Sequence, residues 1–276
     1  MLKKLTLVLV VALSLGLKSE YSALNHYDFN GGKQFELTKK LWEISGLANS
    51  PDDNLYAITD EIGIVYKISS KNGRVMKRFF LGRWTVEADF EGIAAKGDTI
   101  FAITSVGKLY AFREGKNGKP VRFQDKKLPF SDKFEIEGLY YDRKLDGLLI
   151  ASKEYPGKQY KGKRTVFFYS LKRRKLDKNP LLTISLDVLK KDFKIKDFHP
   201  SGITKHPSNG NYLIISAKGQ NAIVEVTPKG RIVAAKKLKE KMHSQPEGIA
   251  IMKDKTMIIG DEGKGKKPMI TRYKYK

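Results

Sequence analysis

The sequence predicts an all-β protein built as a five-bladed β-propeller. Three observations lead there. A short phrase, x-[Glu/Ser]-Gly-[Ile/Leu], occurs five times: EISGLA (43–48), DFEGIA (89–94), EIEGLY (135–140), FHPSGIT (198–204) and QPEGIA (245–250). Its glycines, Gly46, Gly92, Gly138, Gly202 and Gly248, are spaced by 46, 46, 64 and 46 residues. Between them, apolar residues alternate with period two and break at glycine-containing turns, as in four-stranded propeller blades. A β-sandwich would show the same alternation, but it gives no reason for one phrase to open every unit.

Each unit reads as four strands. The phrase opens the first. The second ends in a small residue: LYAIT, IFAIT, LLIAS, YLIIS and MIIG. A third, aromatic or β-branched, follows: IVYKIS, KLYAF, VFFYSL, AIVEVT and MITRYKY. Turns such as KNG (71–73) and PKG (228–230) lead to the fourth: RVMKRFFL, VRFQ, LLTISL and RIVAAKKL. The long third interval carries 18 extra residues, with an insertion visible at EYPGKQYKGKR (154–164). A six-bladed ring is the alternative if that interval hides a degenerate blade, but 18 residues make a loop and at most two strands. Only 28 residues follow Gly248, enough for three strands. The missing outer strand is QFELTKKL (34–41), so the N-terminal strand is expected to close the last blade and leave no open edge there.

The N-terminus has a basic start, Lys3 and Lys4, and then an uncharged apolar run from Leu5 to Leu17. Thirteen residues are short for a membrane span and suit a signal peptide. With no cysteine in the chain, a lipoprotein anchor, a disulfide and a thiolate metal site are all excluded. The expected organisation is a signal peptide or N-terminal hydrophobic segment over 1–18, a linker over 19–33 and the propeller over 34–276. The mature protein is expected to be periplasmic or secreted, or tethered by an uncleaved N-terminal segment.

The net charge is +23. So basic a balance attracts anionic surfaces, such as those of a cell envelope. The basic runs LKRRK (171–175) and KKLKEK (236–241) lack the interleaved aromatics of a nucleic-acid platform, so nucleic acid is not expected as a partner. A solvated lysine-rich exterior accounts for the same runs. Nothing in the sequence calls for more than a monomer.

The first strand of a propeller blade lines the central channel. Glycine there permits close backbone approach or an unusual φ. The residue beside it is then near the axis: Ser45, Glu91, Glu137, Ser201 and Glu247. Three glutamates facing one another at about 5 Å, with an effective dielectric near 20, repel by roughly 3 kcal/mol per pair. A hard cation relieves this, and calcium suits a flexible oxygen donor set. Zinc would want histidine or cysteine, and His26, His199, His206 and His243 show no ligand spacing. The other account is that the glutamates cap backbone amides and lock neighbouring blades together. A second ring follows the second strand: Asp60-Glu61, Ser105-Val106, Lys153-Glu154, Ala217-Lys218 and Asp261-Glu262. With Glu43, these residues would give a largely acidic mouth on a basic protein.

At these residues the sequence resembles the SdiA-regulated family of bacterial exported proteins, relatives of the NHL-repeat propellers. The resemblance rests on EISGLA, EADFEGIA (87–94), FEIEGLYYD (134–142), HPSGIT, QPEGIA and the downstream GDEG (260–263), and covers residues 35 to 276. It implies a five-bladed propeller with a bound calcium, and no established catalytic activity.

Three functions compete. The first is a calcium-binding exported propeller that takes a small ligand or a protein partner. Glu91, Glu137 and Glu247 would be the metal ligands. Glu43, Ser45, Asp60, Glu61, Lys153, Glu154, His199, Ser201, Lys218, Asp261 and Glu262 would line the pocket. The second is a calcium-dependent hydrolase of the phytase or lactonase kind, in which one glutamate acts as base and Lys153 and Lys218 hold an anionic group. The third is a structural disc. His199 and Ser201 share a strand face, but with Pro200 between them no fixed hydrogen bond is expected.

Overall fold

The computed structural model describes residues 21–154 and 157–276; the segment read as a signal peptide lies outside them. Among the described residues five sheets surround one axis, antiparallel throughout except where the two-residue strand Pro120–Val121 pairs parallel with Val75–Leu81. Their inner strands are Ile44–Asn49, Phe90–Lys96, Ile136–Asp142, His199–Lys205 and Pro246–Ile251, and they define blades 1 to 5. Each inner strand packs on the next, and the fifth packs on the first, so the ring is closed with five blades.

Five hydrophobic clusters fill the five gaps between blades. Inner and second strands such as Leu55–Thr59, Gly147–Ser152 and Pro246–Ile251 are therefore buried along their whole length rather than at alternate residues as the period-two reading implied, because both faces of a blade are covered by its neighbours. Blade 5 is completed by the N-terminal strand Lys33–Glu36, which pairs antiparallel with Met269–Tyr273. The strand is shorter than 34–41. Beyond it Leu37 and Leu41 are buried in the core between blades 5 and 1. Burial of two leucines contributes about 3–6 kcal/mol to closure.

Two expectations need correction. The extra length of the third interval is split between two places. One is the loop between the second and third strands of blade 3, with a short 3-10 turn at Lys158–Tyr160. The other is an α-helix, Leu186–Phe193, capped by Ser185 and lying between blades 3 and 4. No sixth blade forms. The second correction concerns residues 19–33, read as a linker. From Tyr21 on they are docked on the disc. Leu24 and Tyr27 lie in the core between blades 4 and 5. Glu225, fully buried, accepts from Ser22 Oγ (2.7 Å) and from the amides of Ala23 and Leu24 (3.2 Å each).

Candidate functional site: the axial carboxylates

Inner strands begin, and second strands end, on one face of the disc, here the upper face. Every inner strand carries a β-bulge at the same place. In blade 1 Ile44 pairs with Thr59 and Gly46 with Ile58, so Ser45 has no partner. The same slip leaves Glu91, Glu137, Ser201 and Glu247 unpaired in the other blades. A bulge re-aims the extra side chain, and here it turns five of them onto the axis. The phrase in the sequence is therefore a bulge repeated five times.

The glycine beside each bulge is needed for close approach, since none of the five has a positive φ. A Cβ on Gly248 would lie 2.6 Å from Leu47 Cγ, and one on Gly92 would lie 2.9 Å from Leu139 Cβ. Gly46 meets Ile93, Gly138 meets Ile203, and Gly202 meets the Glu247 carbonyl in the same way. Each glycine lets the next blade's inner strand close on it, and this draws the bulged residues together.

The five bulged residues surround an axial void of about 10 Å³, with Leu47, Ile93, Leu139, Ile203 and Ile249 closing it below. That is room for about one water or one small ion. Glu137 and Glu247 are buried, and Glu91 is half-buried. Burial raises the Glu91 pKa to about 10, with Glu137, Asp89 and Glu247 adding repulsion. Glu247 is raised well above the ordinary carboxylate range by burial and by Glu137. Its Oε1 accepts from Gln245 Nε2 at 2.9 Å, but its Oε2 is buried with no partner. Glu137 is raised only to about 7, because Lys153 offsets its burial.

Lys153 belongs to the axis rather than to the mouth where the sequence had placed it. Its Nζ donates to Glu137 Oε1 at 2.5 Å. Burial works against the ammonium, but Glu137, Glu247 and Glu91 outweigh it and raise its pKa. The chain thus supplies one cation to its own carboxylate ring. Among the described residues, no backbone amide of a neighbouring blade donates to any of the three glutamates. Ser201 does lock blades, donating to the Pro246 carbonyl at 2.6 Å.

The second ring divides. Glu43, Asp60, Glu61 and Glu262 stay at the mouth. Burial pushes Asp60 up to about 6, with Glu43 and Glu262 adding repulsion, and its Oδ1 is buried without a partner. Gln245 bonds both Glu262 and Glu247, joining the mouth to the axis. Asp261 turns away: it is buried against His243 Nδ1 at 2.9 Å, and His243 Nε2 meets the Tyr273 hydroxyl at 2.6 Å. Glu154, His199 and Lys218 form a separate cluster beside blade 4. There Glu154 pairs with Lys218 (3.0 Å) and His199 (2.9 Å), and His199 Nε2 meets Asp197 (2.8 Å). Buried Arg164 donates to the Phe198 carbonyl at 2.8 Å. His199 and Ser201 are each engaged elsewhere and form no nucleophile–base pair. Gln245, Asp89 and Arg164 were not singled out from the sequence, although Gln245 and Asp89 are the first letters of two copies of the phrase.

The donor set has the character that calcium requires. It is all oxygen, it surrounds a void of ionic size, and it includes an orphaned buried carboxylate oxygen, so its chemistry fits. Among the described residues, however, no three acidic or histidine side chains converge tightly enough to hold a metal between them. Glu137 is committed to Lys153, which leaves Glu91 and Glu247 as the available carboxylates.

The SdiA-regulated family model matches residues 25–264. Comparison with curated proteins returned no match. Among solved structures, the chain is similar to a luciferin-regenerating enzyme (10% identity, TM-score 0.57, covering 88% of this chain and 95% of that one). It is also similar to the glutaminyl cyclase of Myxococcus xanthus (13%, 0.54, 88% and 94%) and to a streptogramin B lyase (14%, 0.52, 92% and 100%). At such identities the likeness is one of fold.

Proposed function

The chain belongs to the SdiA-regulated family, and from that premise we propose that it is a cation-binding propeller, with calcium on the axis and a ligand or partner received at the mouth above. The observation that carries this is the Oε2 of Glu247, buried on the axis without a partner. A buried carboxylate oxygen left unpaired costs free energy that a bound cation would recover. Glu91 and Glu247 would hold the ion. Calcium would supply two positive charges and an affinity for several oxygens. Lys153 competes for the same field, and Gln245 fixes the Glu247 carboxylate. With only two free carboxylates, the affinity expected is that of extracellular modules, about 10⁻⁴–10⁻³ M. Such an affinity suits an exported protein, as the apolar N-terminal run suggests.

Isothermal titration of the chelated protein tests the proposal. Calcium should bind with one-to-one stoichiometry, Glu247→Gln should weaken it at least tenfold, and Lys153→Met should strengthen it. If wild type takes up no calcium at millimolar concentration, or Glu247→Gln binds it unchanged, the axial carboxylates are not a calcium site.

A further inference from the structure

The two faces of the disc differ in charge. Loops that join first to second strands, and third to fourth strands, open on the lower face, opposite the axial carboxylates. With the terminal segments 21–32 and 274–276 they hold eighteen lysines and arginines against eight acids, whereas the upper loops hold sixteen against thirteen. Several of the lower acids are already used. Asp52 pairs with Lys67 (3.0 Å), Glu114 with Lys67 (3.1 Å) and Lys77, Asp98 with Arg113 (2.7 Å) and Asp146 with Lys96 (2.5 Å). Those cations all belong to strands, so the pairs neutralise acids of the lower loops and leave the bases of the loops uncompensated. Lys71, Lys116, Arg143, Lys144, Lys229 and Lys253 are exposed and make no ion pair among the described residues. They come from all five blades, so the charge is spread over a face and not gathered in a groove.

Two further observations say what such a face meets. Leu145, 41% exposed, stands beside Arg143 and Lys144 in one of these loops, an apolar side chain among cations. The N-terminal chain also arrives here. Asn209 Nδ2, in the lower loop of blade 4, donates to the Tyr21 carbonyl at 3.1 Å, and the Tyr21 hydroxyl meets that of Tyr275 at 2.6 Å. Three residues separate Tyr21 from Leu17, where the apolar run ends. A run held in a bilayer would therefore keep Tyr21 within about 14 Å of it. Spread cations, an apolar loop residue and a short apolar tether on one face suit a lipid surface. A nucleic acid would want a groove with aromatic platforms, and both tryptophans of the chain, Trp42 and Trp84, lie on upper loops instead.

We propose that the lower face lies on a bilayer surface bearing anionic phospholipid headgroups, with the mouth turned away from it. The inference does not depend on the axial calcium, and it gives the excess positive charge of the chain a direction.

Vesicle co-sedimentation of the full chain, in chelator and at about 100 mM salt, tests it. Wild type should bind vesicles of about 30% phosphatidylglycerol in phosphatidylcholine at least a hundredfold more tightly than vesicles of phosphatidylcholine alone, a ratio that cancels the contribution of the apolar run. Each cation near such a surface strengthens binding about fivefold. Combined Lys71→Gln, Lys144→Gln, Lys229→Gln and Lys253→Gln should therefore cut the ratio about thirtyfold or more. Combined Lys39→Gln, Lys133→Gln, Lys190→Gln and Lys239→Gln removes the same charge from exposed upper positions and should change it less than about threefold. Melting curves confirm that both sets fold. Brominated lipid should leave the tryptophan fluorescence unquenched, since Trp84, 86% exposed, faces away from the bilayer. A wild-type ratio near one overturns the inference. So do equal losses from the two sets, which would mean a merely solvated basic exterior, and quenching of the tryptophans, which would put the upper face on the lipid. A lower set that weakens binding to a DNA duplex but not to the vesicles overturns it as well.

Discussion

Glu225 and Glu247 are both buried glutamates on propeller strands, and they are opposites. Glu225 is surrounded by donors: Ser22 Oγ, the amides of Ala23 and Leu24, and the side-chain amides of Asn209 and Asn211. Although burial alone would raise its pKa, these bonds win and hold its carboxylate below the ordinary range. Glu247 has one donor, Gln245, and one oxygen with none, and burial with Glu137 nearby raises it. Burial is common to both and decides nothing. What separates the two is whether the fold itself supplies a partner for every oxygen. Asp142 belongs with Glu225: fully buried, it is satisfied by Lys205 and the Tyr212 hydroxyl at 2.7 Å each.

The largest expected effect breaks the structural member of the pair. Glu225→Ala should cost about 3 kcal/mol, because it strands several buried donors and frees the Ser22–Tyr27 segment from the disc. That corresponds to a fall in melting temperature of roughly 6–12 °C for a domain of this size. Glu247→Gln, in chelator, should leave stability unchanged or higher. Urea denaturation of the two variants checks this; equal losses would mean that both glutamates are structural.

A smaller effect sharpens the contrast through pH. Glu137 and Asp60 have folded pKa values raised to about 7 and about 6. A raised carboxylate binds its proton more tightly when folded, so its contribution to stability is present at low pH and is lost as pH rises through the folded value. Glu225 and Asp142 are lowered, so their contribution is present above the ordinary carboxylate pKa and is lost as pH falls through the folded value. In chelator, the melting temperature should decline by a few degrees from about pH 5 to about pH 8. Millimolar calcium should reverse much of that decline. A flat profile with chelator, or one that calcium leaves unaltered, would show that the axial carboxylates do not titrate as a cation site.

The blades were legible in the sequence because repetition is a one-dimensional signal. Equal glycine spacing and the short final unit gave both the count and the N-terminal closure. The site was legible only in part. The recurrence of Glu91, Glu137 and Glu247 marks the axis, but a bulge is a matter of register, and register is set by the partner strand. Lys153 looked like a loop residue because the insertion that follows it hides which way it turns. Asp261 matched Asp60 letter for letter, yet His243, eighteen residues earlier in the chain, drew it into blade 5. The docking of residues 21–32 was invisible for a related reason: Glu225 reads as one more charge on the third strand of its blade until the fold brings Ser22 to it.

Crystals of the chelated protein soaked in calcium, with anomalous differences measured, test the central claim most directly. The account predicts one peak on the axis, about 2.3–2.6 Å from Glu247 Oε2, with Glu91 turned toward it. An axis without a peak, with Lys153 still on Glu137 and Glu247 Oε2 still unpartnered, would contradict it.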